Sequence, residues 1–153
     1  MRLTLASDQR TKLVEKLRRA GTNEIGGQMF GEQLAPSQFR VLDLTIQARH
    51  GSVARFLVDL LQAGRDAIRF FDRTKHHYTR FNYIGEWHSH PSFAVKPSRT
   101  DITTMRELVR EAKFAGNFAV LVICRLDGDE LTAAAWYFDP HGHEGNAILE
   151  VEY

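Results

Sequence analysis

Two histidines one residue apart, His88 and His90, stand in the run Glu86-Trp87-His88-Ser89-His90-Pro91. Ten residues separate His90 from Asp101, which closes the run Ser98-Arg99-Thr100-Asp101. Two imidazoles and one carboxylate leave a fourth zinc position open for water, the ligand set of a hydrolytic rather than a structural site. An isolated H-x-H is more often two ordinary histidines, and an isolated S-x-x-D more often only caps a helix. Found together at this spacing, the two patterns point to a metal centre and to hydrolysis.

Such a centre needs elements that aim its ligands. Residues i and i+2 on a strand share a face about 6–7 Å apart, close enough for both imidazoles to reach one ion at about 2.0–2.1 Å. On a helix the same spacing diverges. The stretch before the pair favours a strand, with Tyr78, Phe81, Tyr83, Ile84 and Trp87 aromatic or β-branched. Pro91 has no N–H and is expected to end the pairing just after the second histidine. Ser98 has the form of a helix cap with acidic Asp101 three residues on. Ile102, Met105, Leu108, Val109 and Ala112 then recur at helical spacing.

These residues resemble the JAMM (JAB, MPN+) metalloprotease family, whose pattern is a distant upstream Glu, then H-x-H, then S-x-x-D. Here the matching positions are Glu24, His88 and His90, and Ser98 with Asp101. The segments Glu24 to Gly31 and Tyr83 to Trp87 look like the family's strands, and the resemblance spans nearly the whole chain. Every motif position carries the family's residue, which argues against an inactive scaffold. The resemblance implies that His88, His90 and Asp101 bind Zn2+ with water as fourth ligand. It implies Glu24 as general base and then acid, and Ser98 as hydrogen-bond donor to the oxyanion. Each role is physically sound: zinc brings the pKa of bound water to roughly 7, a carboxylate can carry the proton to the leaving amine, and an oxyanion donor contributes about 3–4 kcal/mol. Glu86 shares a face with both histidines by strand alternation, so spacing alone does not choose between it and Glu24. The family pattern favours Glu24 and leaves Glu86 at the rim or behind the ligands.

The resemblance further implies a substrate: the C-terminal tail of a ubiquitin-like protein, cut from a precursor or from a conjugate. The short chain is most similar to small bacterial members that accompany E1-like, E2-like and ubiquitin-like proteins in conjugation operons, some of them antiviral. Alternatives are release of an amino acid from a sulfur-carrier protein, a zinc-containing binding module with little turnover, and a DNA-associated protein of the same family. Near-neutral charge argues against the last.

The 153 residues are expected to form one domain, 1–153, and 43% hydrophobic content supplies a core. A net charge of +1 gives no bias toward nucleic acid or a membrane. No apolar run reaches the roughly 18 residues of a membrane span, and Met1 to Leu5 is too short for a signal peptide. The single cysteine excludes an intramolecular disulfide, so a cytoplasmic location is the expectation. Cys124 falls in an apolar run and is expected in a buried strand rather than as a nucleophile.

The remaining elements follow from periodicity. Helices are expected at Ser7 to Ala20, capped by Ser7, at Val53 to Phe71, with Gly64 as a bend or break, and at Ser98 to Phe114. Strands are expected at Ile25 to Leu34, Phe39 to Gln47, Tyr78 to His88, Phe118 to Leu126, Glu130 to Phe138 and Ala147 to Glu152. Gly26 and Gly27 suggest a bulge or close backbone packing. This order predicts an α/β (α+β) domain, a mixed, mostly antiparallel sheet flanked by helices, as in the JAMM/MPN fold. His76 and His77 beside Arg73 and Lys75 are expected at a solvated helix end. His141 and His143 read as a loop with no partner carboxylate in an S-x-x-D context. Arg65, Arg69, Arg73 and Lys75 suggest a polar helix face that could steer a partner.

Overall fold

Seven strands pair into a ring. In the computed structural model, which describes residues 1–47 and 60–153, the elements run β1 (Arg2–Leu5), α1 (Ser7–Ala20), β2 (Gly26–Ala35), β3 (Gln38–Leu44), α2 (Leu60–Arg73), β4 (Phe81–Ser89), α3 (Arg99–Arg110), β5 (Ala119–Asp127), β6 (Glu130–Phe138) and β7 (Glu144–Val151). The strand order is β1-β3-β2-β4-β5-β6-β7, and β7 returns to β1. The expected mixed, mostly antiparallel sheet flanked by helices is therefore corrected to a closed barrel, although the composition is mixed α and β as expected. The element that closes it is β1, which pairs in parallel with β3 on one side and with β7 on the other. Four residues carry too little periodicity to announce a strand. Both of β1's partners are remote in sequence.

Leu3 and Leu5 of β1 join Met29, Val41, Leu44, Ile84, Trp87, Val120 and Val122 in the main core, and Leu13 and Leu17 of α1 pack into it. The opposite face of β5 presents Ala119, Leu121 and Ile123 to Met105 and Val109 of α3. Burying each of these larger side chains contributes roughly 1.5–3 kcal/mol. Strand β5 is therefore apolar on both faces. Its nearest neighbours include the parallel strand β4, which carries the histidines.

Two glycines set strand spacing. A Cβ on Gly85 would lie 1.9 Å from the Val120 carbonyl oxygen, and one on Gly27 would lie 2.1 Å from that of Thr45. Gly27 thus serves close packing. The β2 register shifts fall further on, between Met29 and Phe30 against β4 and, against β3, between Phe30 and Gly31 and between Gln33 and Ala35.

Several boundaries differ from expectation. Ala6, not Ser7, occupies the cap of α1 and makes no side-chain hydrogen bond there. Gln47 forms only an isolated bridge to Gly26. The first part of the expected helix, residues 53–59, lies outside the described residues; α2 continues through Gly64 to Arg73. Residues 78–80 form a turn, so β4 starts at Phe81, and α3 stops at Arg110 rather than Phe114.

Candidate metal centre

Strand β4 carries the histidine pair to the edge of its own pairing. His88 lies opposite Gly26 on β2 and beside Ile123 on β5. The chain is held past the strand end by Ser89 N–H donating to the Ile25 carbonyl (2.8 Å) and His90 N–H to the Cys124 carbonyl (2.8 Å). The Ser89 hydroxyl accepts from the Ile25 N–H at 3.0 Å. Alternation sends Trp87 into the core, where its indole N–H donates to the Thr45 carbonyl at 2.9 Å. His88 and His90 then face the opposite way, toward the start of α3.

The third residue arrives on the first turn of α3. Ser98 caps that helix: its hydroxyl accepts from the Asp101 N–H (3.1 Å), and its own N–H donates to Asp101 Oδ2 (2.7 Å). This reciprocal capping box satisfies two otherwise orphaned donors and fixes the Asp101 rotamer. Capping is thus one duty of both residues, but the carboxylate also faces the histidines. His88 Nε2 lies 3.5 Å from Asp101 Oδ1, and His90 Nε2 lies 3.9 Å from Oδ2. The two Nε2 atoms are 3.1 Å apart. All three residues are buried, and their ligand atoms lie within 4.8 Å of one another, the one such cluster among the described residues.

The donor set fits a metal ion. Ligand atoms held tetrahedrally at about 2.0–2.1 Å sit roughly 3.3–3.4 Å from each other, and the observed separations bracket that value. Asp101 Oδ1 is buried without a hydrogen-bond partner, an arrangement that is costly unless a cation completes it. His90 Nδ1 lies 2.8 Å from the Ala94 carbonyl oxygen. A carbonyl only accepts, so Nδ1 carries the proton and Nε2 presents its lone pair to the cluster. Burial by itself raises the Asp101 carboxyl; attraction to His88 and the Ser98 donors outweigh it and hold the group below its ordinary value, hence ionised.

Glu24 sits two residues before β2 and is partly buried. Gly26 pairs with His88, and Ile25 is bonded to Ser89. Extending that register sets Glu24 beside His90. Ile25 belongs to the core, so alternation turns Glu24 toward the histidine side. Its carboxylate is not part of the three-residue cluster. Ser98 is exposed, and its O–H remains a donor while its oxygen accepts from the cap.

Glu86 has a different setting. Tyr83 O–H donates to it at 2.6 Å, and Gln28 stands opposite it on β2. Burial pushes its carboxyl up to about 8 despite the hydrogen bonds from Tyr83 and Gln28 that lower it. Burial likewise pushes the Cys124 thiol up to about 12, so it stays protonated and is no nucleophile. His141 and His143 lie on an exposed turn, with the His143 ring bonded to Asp139 at 2.8 Å; they are not part of the metal cluster. His76 is exposed and bridges Asp72 and Tyr78.

Two contributors had no sequence signal. The Ala94 carbonyl orients His90 through backbone geometry alone. Phe93 stands 64% exposed beside the cluster, its ring edge-on to His90 at 6.3 Å between centroids. The Phe93 carbonyl accepts from Arg125 at 3.1 Å, which ties the loop to β5.

Fold and cluster together define a β-barrel domain with a buried two-histidine, one-carboxylate cluster, able to hold a metal ion, at the end of a core strand. Residues 6–139 match the family described as prokaryotic homologs of the JAB domain. The chain belongs to this family. No curated protein matches it. Among solved structures, it is similar to protein DSY2949 from Desulfitobacterium hafniense, known in solution, with a TM-score of 0.62 and 19% identity over 98% of this chain and 94% of that one. That likeness is one of fold. No helix among the described residues is long and apolar enough to cross a membrane.

Proposed function

We propose that the chain is a zinc-dependent peptidase that cuts after the C-terminus of a bacterial ubiquitin-like protein. It would process the precursor or release the protein from its conjugates, within a conjugation system whose E1-like and E2-like enzymes are its operon partners. An antiviral role for that system is part of the proposal. The observation that carries the reading is the buried His88, His90 and Asp101 cluster, with the His90 proton fixed on Nδ1 and an orphaned carboxylate oxygen facing the imidazoles.

His88, His90 and Asp101 would hold zinc, which supplies Lewis acidity and an acidified water when bound. Glu24 takes a proton from the attacking water and returns it to the leaving amine. The Ser98 O–H donates to the scissile carbonyl oxygen as negative charge builds on it. Glu86, tied to Tyr83, is left outside this proton path.

The test is cleavage of a fusion between a ubiquitin-like protein encoded beside this chain and a reporter, with wild type run alongside Glu24→Ala and zinc measured on both. Cleavage after the carrier's last residue, lost by at least a hundredfold in a variant that retains zinc, is the expected outcome. Zinc-loaded wild type that leaves the fusion intact would sink the reading. Equal cleavage by both proteins would remove Glu24 from its role.

A further inference from the structure

A second concave site lies at the other end of β4. It encloses about 550 Å³ between the end of α2, the turn before β4 and the segment that follows α3, and its walls include Phe71, Tyr78, Tyr83 and Phe114. That volume and aromatic lining fall within the range of sites that take a bulky apolar group. Arg80 and Lys113 also line it; Arg80 is already bonded to the Glu32 carboxylate, which leaves Lys113 as the cation that faces a partner. Phe114 folds back over Gly116, where a Cβ would lie 2.7 Å from the ring, so a glycine lets this aromatic close one side.

The site is linked to the metal centre through a single strand. Tyr83 lines it and bonds Glu86, and Glu86 precedes His88 by two residues on the same face. From Asn82 to His88 the strand advances six residues, about 20 Å at roughly 3.3 Å each. An extended peptide covers that span with about six residues. A tail of about six extended residues is thus long enough to hold a substrate's folded body at this pocket while its end lies at the metal cluster.

We propose that this pocket is a docking site for the body of the substrate protein. Its occupant is an exposed aliphatic or aromatic side chain flanked by a carboxylate that meets Lys113. The proposal rests on the peptidase reading for its geometry, and binding tests it without cleavage. Two probes suffice: the ubiquitin-like protein of the cleavage assay lacking its last six residues, and those six residues as a synthetic peptide. Each is titrated into 15N-labelled protein. The truncated body should shift the amide resonances of Phe71, Tyr78 and Gly116, and Lys113→Glu, an exposed change that leaves the fold intact, should weaken it about tenfold. The peptide should instead shift residues around His90. A body that does not bind, binds elsewhere, or binds Lys113→Glu as tightly as wild type overturns the proposal. Pocket binding by a body whose fusion is never cleaved upholds this site and removes the peptidase reading, whereas cleavage without pocket binding does the reverse.

Discussion

The Nδ1–H of His90 is committed to the Ala94 carbonyl and Asp101 Oδ2 to the Ser98 N–H, so both ligands are aimed before any ion arrives. Asp101→Asn separates the two duties of that residue. The amide oxygen can still accept from Ser98 and keep the cap, while the anionic ligand is gone. Zinc should raise the melting temperature of wild type, since a ligand specific to the folded state stabilises it. The variant's metal-free melting temperature should fall little and should not respond to zinc. A second residue-scale prediction concerns Cys124, which is fully buried with its thiol held protonated. Iodoacetamide should leave the native protein unlabelled at neutral pH and react once urea unfolds it; mass spectrometry reads either result. The clustering of His88, His90 and Asp101 was legible in the sequence because its logic is local. An i, i+2 pair on a strand and a capping box each need only a few residues. The settings of Glu24 and Glu86 were not legible, because they depend on how β2 and β4 register and on what packs beside them.

At the scale of elements, Gly85 is a position in β4 where any side chain would run into the Val120 backbone of β5. Its would-be Cβ meets backbone, not a side chain that could swing away. Gly85→Ala should force the strands apart, with a loss of at least about 2 kcal/mol as in other overpacked cores, visible as a lowered urea midpoint. Because β5 also anchors His90 through the Cys124 carbonyl, zinc affinity should fall with it. Helix α3 is tied to β7 by two hydrogen bonds from Arg106 to Glu144, at 2.8 and 2.5 Å. Hydrogen bonding and charge from Arg106 hold Glu144 below its ordinary value of 4.5. The folded value is the lower one, so the pair stabilises above pH 4.5, and that contribution disappears as pH falls through the folded value. Glu144→Gln should lower the urea midpoint at pH 7, with the gap to wild type narrowing toward pH 3; a gap independent of pH would contradict this account. The hairpin of β5 and β6 was legible from Asp127-Gly128-Asp129, a turn between two apolar runs. The end of α3 and the start of β4 were not, because local turns set them without a proline: the Phe114 N–H bonds the Glu111 carbonyl, and the Arg80 and Phe81 N–H groups bond the His77 carbonyl.

For the whole molecule, the ring closes between residues far apart in the chain: Arg2–Leu5 lie beside Ile148 to Val151. Lateral hydrogen bonds extend this seam, from the Ile148 N–H to the Met1 carbonyl (3.0 Å) and from the Glu152 N–H to the Leu5 carbonyl (3.0 Å). Pairing of such separation is slow because loop closure must precede any gain from contact. A ribosome making this domain has therefore delivered all three residues of the candidate metal cluster, His88, His90 and Asp101, well before the strand that seals the barrel emerges. Until residues 144–151 appear, β1 and β6 each present an unsatisfied edge, the kind of surface on which chains join one another. A chain ending at residue 140 should accordingly sediment as aggregates while the full domain stays in the supernatant, and synthesis stalled at that point is when the nascent protein most needs a chaperone.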